Sequence, residues 1–97
     1  MIMNKKRFIL VIDNATEIQQ NTVSNYFKDH MGYWHWFSDA WLLTDSTNTW
    51  NVASIRDKVQ ELIPDVDMIV LAIESNTDWA GFGQTKKFEW LHDTWKG

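Results

Sequence analysis

Asp13 closes an apolar run, Phe8-Ile-Leu-Val-Ile12, and Asn14 follows it, so two oxygen-bearing side chains stand where a strand meets solvent. A carboxylate there could help hold a hard cation such as Mg²⁺, which takes oxygen ligands. The same pair also starts turns, because Asx side chains accept hydrogen bonds from nearby backbone amides. Asp13 is thus the candidate catalytic or metal-binding carboxylate, and the turn is the reading that suits an acidic chain. His35 lies between Trp34 and Trp36. Its imidazole titrates near neutral pH and aromatic walls would lower its pKa, which suits a general base. No Ser, Asp or second His stands at a recognisable spacing from it, so His35 enters as a ligand-binding residue beside Trp36. Trp79-Ala-Gly-Phe-Gly83 is apolar yet spaced by glycines, with free backbone amides and a large ring near each end. Trp79 and Phe82 are therefore candidates for recognition, and the competing reading makes them a plug over the open edge of the core. No HExxH, Walker loop, dinucleotide fingerprint or nucleophile elbow occurs, and no cofactor is expected.

Composition bounds what such residues can serve. Nine basic against thirteen acidic side chains leave a net charge of -4, the wrong sign for extended nucleic acid. The one dense basic run, Lys5-Lys-Arg7, precedes the first apolar stretch and reads as a solubilising strand entrance. There is no cysteine, hence no thiolate metal site or nucleophile. With no signal-peptide order and no stretch near the roughly 20 apolar residues of a membrane span, the chain is expected to be soluble and cytoplasmic. Seven Trp in 97 residues call for an account by packing or by recognition. A small domain can use such rings to enlarge its core, and rings left exposed can stack on a base or anchor a partner.

The elements that must position these residues can be read from period and punctuation. Phe8 to Ile12 predicts a strand buried on both faces at the centre of a sheet. Thr16 with Gln19 resembles a capping box and opens a helix over about 16 to 30, which Gly32 closes. Residues 33 to 44, broken at Ser38-Asp39, are extended, as either two short paired strands or one long strand with a kink or bulge. Asp45 to Thr49 is a polar turn cluster. Val52, Ile55, Val59, Leu62 and Ile63 then mark a helix that Pro64 ends. Met68 to Ile73 predicts a second fully buried strand, and Phe88, Leu91 and Trp95 predict a short helix over about 85 to 95. The order is that of an α+β, ferredoxin-like βαββαβ sandwich: a single domain with two helices on one face of an antiparallel sheet, plus the C-terminal helix. One aromatic face of the second-strand segment is left for the terminal segment or a second copy to cover, and a homodimer is the expected remedy.

Several strings carry a family resemblance over nearly the whole chain: "LVID" ending at Asp13, "HWFSDAWLL" from His35 to Leu43, "IRDKVQELI", "DMIVLAIE" and "DWAGFG". They resemble the SinR-like relatives of the small CRISPR adaptation nuclease fold. The resemblance implies a ferredoxin-like dimer with facing sheets. It also implies a metal-holding acidic residue at the end of the first strand, here Asp13, and a characteristic serine, here Ser38. The acidic composition departs from the basic, arginine-rich surface of the nucleic-acid-handling members. The expectation is accordingly a homodimeric binding or regulatory module that recognises a protein or a small nucleotide-like ligand through His35, Trp36, Trp79 and Phe82. The alternatives are a metal-dependent nuclease using Asp13, and a toxin-antitoxin or phage anti-defence component.

Overall fold

A computed structural model describes residues 6–74 and 77–95. Lys5 of the basic run and Asn76 of the expected loop lie outside the described residues. The chain runs β1 (Lys6–Asp13), α1 (Glu17–Lys28), β2 (Gly32–Phe37), β3 (Ala40–Asp45), α2 (Val52–Leu62) and β4 (Asp67–Ile73). A 3₁₀ turn (Thr85–Phe88) then leads into α3 (Glu89–Thr94). Each boundary has a local cause. Thr16 caps α1, its hydroxyl accepting from the Gln19 amide while the Gln19 side chain accepts from the Thr16 amide. Asn51 and Ser54 form the equivalent reciprocal pair at the start of α2. Pro64, after the C-cap Ile63, cannot extend α2. The predicted C-terminal helix divides into the 3₁₀ turn and the six-residue α3.

Residues 33 to 44 form two strands, β2 and β3, which turn at Ser38-Asp39 and pair antiparallel with a register shift between Trp34 and Phe37. The four strands make one antiparallel sheet in the order β2-β3-β1-β4. An α+β chain of this make-up is compatible with a ferredoxin-like fold.

Strand alternation sorts the apolar residues into two clusters. Phe8, Leu10 and Ile12 of β1, with Trp41 and Leu43 of β3, pack against Val23 and Phe27 of α1 and against Ile55 and Val59 of α2. Trp34 packs on the other side with Phe88, Leu91 and Trp95, and Ile9, Leu42, Ile73, Trp79 and Trp90 join them. The C-terminal segment thus covers the aromatic face that the sequence left open. On β4 this cover reaches only Ile73. Ile69 is 54% and Leu71 47% exposed, so β4 is not the fully buried strand its composition predicts. The reason is position: among the described residues β4 pairs only with β1, and α3 lies over the other end of the sheet face. Among the described residues no helix is long and apolar enough to cross a membrane.

Candidate functional site: an aromatic groove on the C-terminal segment

A groove of about 600 Å³ lies between the loop 78–83 and the C-terminal helical turn. Its floor is aromatic because the turn points Phe88, Leu91 and Trp95 inward on one stripe. Trp79 hangs over that floor. Its indole Nε1 donates to the Trp95 carbonyl at 2.9 Å, and its ring lies 6.1 Å from Phe88 and 5.0 Å from His92. The loop then presses its backbone onto Phe88. A Cβ at Gly81 would meet the Phe88 ring at 2.6 Å, so a side chain there forces the loop or the ring to move. Gly83 follows with φ +153, a conformation that L side chains rarely adopt. Between these glycines Phe82 is 100% exposed. The groove is therefore walled by a ring that packing fixes and rimmed by one that packing does not use. Asp78 and Thr85 supply polar groups at its edges.

Trp36 lies on the same side of the sheet, 45% exposed, with Lys86 Nζ 5.7 Å from the ring centroid. Phe37 beside it is 51% exposed. Trp34 is buried: its ring centroid is 4.8 Å from that of Phe37 and 6.0 Å from that of Phe88, and its Nε1 donates to the Lys87 carbonyl. His35 points the other way. Its ring stacks on Trp41 with centroids 3.8 Å apart, Nδ1 donates to the Ala40 carbonyl at 2.9 Å, and the Gln20 side-chain amide lies 3.2 Å from Nε2. Burial lowers its pKa, the Ala40 hydrogen bond partly opposing, which favours the neutral form of the imidazole. Of the four residues singled out in the sequence, Trp79 and Phe82 line one groove and Trp36 borders the same segment. The sheet separates His35 from all three.

Asp13 is exposed at the end of β1, directly opposite Asp67 of β4, and Asn14 takes a left-handed φ of 61° in the turn toward α1. Ser38 is exposed in the β2–β3 turn. Among the described residues no three His, Asp or Glu side chains converge as a metal site.

Two buried charged residues carry structure that the sequence reading did not single out. Arg7 belongs to the run read as a solubilising entrance, yet alternation turns it onto the α3 side. It lies buried there, with its guanidinium 5.2 Å from the Trp95 ring centroid and Nη2 donating to the Thr94 carbonyl. Asp45, at the end of β3, is wholly buried. One carboxylate oxygen accepts from the Thr47 amide and hydroxyl, the other from the Thr49 and Trp50 amides. Burial raises its pKa, but the Thr47 hydroxyl and the three amides outweigh it and the net shift is downward. The Asp-x-Thr-x-Thr spacing was the available signal, because such side chains fold back on the amides that follow them. Comparison with protein-family models, with curated proteins and with solved structures finds no match for the chain.

Proposed function

We propose that this chain is a ferredoxin-like recognition module that acts by binding rather than by chemistry, taking a protein side chain or a small nucleotide-like ligand in the groove beneath loop 78–83. The observation that supports it is Phe82. A ring wholly in water contributes nothing to this fold, and it stands at the rim of a cleft whose volume is within the range of ligand sites, about 300 to 1,000 Å³. Stacking on such a ring contributes about 1 to 3 kcal/mol per base, enough to matter without a basic surface. Trp36 and Lys86 extend the same face with a second exposed ring and a cation. Two copies of the chain would associate through Phe37, which α3 leaves uncovered on β2, at the opposite edge of the sheet from β4. Sedimentation at micromolar concentration reads that step directly.

Two substitutions separate recognition from packing. Trp79→Ala removes a half-buried ring and its hydrogen bond to Trp95 and should cost about 2 to 3 kcal/mol, short of the full core penalty. Phe82→Ala should leave the melting temperature unchanged and weaken binding of AMP, GMP or a captured protein partner. A Phe82→Ala protein that melts far below the parent would assign the ring to the core and end this reading.

A further inference from the structure

The free edge of β4 is independent of the groove. β4 pairs with β1 without a register shift over seven residues, Asp67 to Ile73 against Asp13 to Arg7, and among the described residues no strand lies on its other side. A row of backbone N–H and C=O groups therefore faces outward along this edge. Natural edges are usually blunted by Pro, by Lys or by a bulge. The β2 edge has its irregularity between Trp34 and Phe37, whereas Asp67-Met-Ile-Val-Leu-Ala-Ile73 contains none of these devices. Ile69 and Leu71 stand on one side of the edge, about half exposed. On the other side two shallow grooves of about 230 and 250 Å³ lie between β4 and α2, meeting at Arg56 and Met68. An added strand would find pockets for side chains on both of its faces, spaced by the alternation of β4 itself.

Charge selects the occupant. Asp65 and Asp67 stand at one end of β4 and Glu74 at the other, and Asp13 lies directly across from Asp67. The ion pairs among the described residues, Arg56 with Asp57 and Lys58 with Glu61, engage none of these four carboxylates. Like charges on directly opposed strand residues are destabilising, so this corner favours an incoming cation. A second copy of β4 brings none. Antiparallel self-pairing centred between Val70 and Leu71 would set Asp67 of one copy opposite Glu74 of the other at both ends. We propose that the β4 edge is a docking site for an extended peptide segment of a partner protein, apolar at alternate positions and flanked at both ends by Lys or Arg, which adds as a fifth antiparallel strand.

The test uses the whole 97-residue chain and a fluorescein-labelled peptide, Lys-Lys-Thr-Ile-Thr-Val-Thr-Lys-Lys, with a Glu-flanked version as control. Anisotropy should show saturable binding of the Lys-flanked peptide, and hydrogen exchange should slow at alternate amides of residues 67–73. N-methylating alternate residues along one edge of the peptide should abolish binding, and the other alternate set should leave it intact, because only one edge pairs. Asp67→Lys with Glu74→Lys, both on exposed side chains, should weaken the Lys-flanked peptide about tenfold and strengthen the Glu-flanked one. Phe82→Ala should leave this binding unchanged, which keeps the edge and the groove separable. Equal binding of the two flanked peptides, equal loss from both N-methyl sets, protection at loop 78–83 instead of β4, or β4 protection from self-association without peptide would each overturn the proposal.

Discussion

Replacing Asp45 tests whether one buried carboxylate organises the approach to α2. Its two oxygens accept four hydrogen bonds at 2.6 to 2.9 Å, two from Thr47, one from Thr49 and one from Trp50. Hydrogen bonds to a charged group contribute about 1.5 to 3 kcal/mol each, which would sum to more than 6 kcal/mol if they were independent. They are not independent, and the loop 46–49 is exposed, so water recovers part of the loss when the carboxylate is removed. Asp45→Ala should therefore cost about 3 to 4 kcal/mol, or a fall of about 15 to 25 °C in melting temperature for a domain of this size. Asp45→Asn should be nearly as damaging despite its shape. Whichever way the amide is turned, its NH₂ faces two groups that can only donate or prefer to. Urea titration followed by circular dichroism and Trp fluorescence measures both variants, with an unchanged m-value as the sign that the fold is otherwise intact. The pH dependence gives a second readout. The folded pKa is depressed from its ordinary 3.8, so the contribution is complete above that value and is lost as pH falls through the folded pKa. The parent should lose stability below about pH 4 more steeply than either variant. An Asp45→Asn protein that melts within a few degrees of the parent would refute the argument, because the donors would then not depend on the charge.

Other expectations rest on different elements. The lowered pKa of His35 means that the unfolded chain binds more protons below its ordinary value, so the parent should lose stability as pH drops below about 6.5. His35→Phe, which keeps a ring on Trp41, should flatten that part of the pH–melting curve, and an unchanged slope would show that another group is responsible. Gly81→Ala puts a methyl group 2.6 Å from the Phe88 ring. It should reshape the groove, with a changed Trp fluorescence maximum and a melting temperature lower by several degrees, and a variant indistinguishable from the parent would mean that the loop does not rest on Phe88.

Local order was legible in the chain. The Thr16–Gln19 box, the helix stopped at Pro64 and the apolar runs of β1 and β4 follow from steric and hydrogen-bonding rules that act within a few residues, and the structure has each of these elements. The rings of the 79–83 segment were legible as candidates for the same reason: an apolar, glycine-spaced loop is unusual wherever it folds. Residues 33 to 44 were legible as extended but not as two strands. Whether a two-residue break is a turn or a kink depends on what the second half pairs with, and β3 pairs with both β2 and β1.

What only the tertiary structure decided was the side on which each residue ended. Arg7 reads as a surface cation, yet alternation on β1 turns it under Trp95. His35 and Trp36 are neighbours in sequence and lie on opposite sides of the sheet, so one packs on Trp41 and α1 while the other meets Lys86. The apolar content of β4 matches that of a buried strand, but exposure depends on where α3 stops. Composition and periodicity specify how much surface a segment can bury. Burial itself is a property of pairs of elements far apart in sequence, and only the folded arrangement assigns the partner.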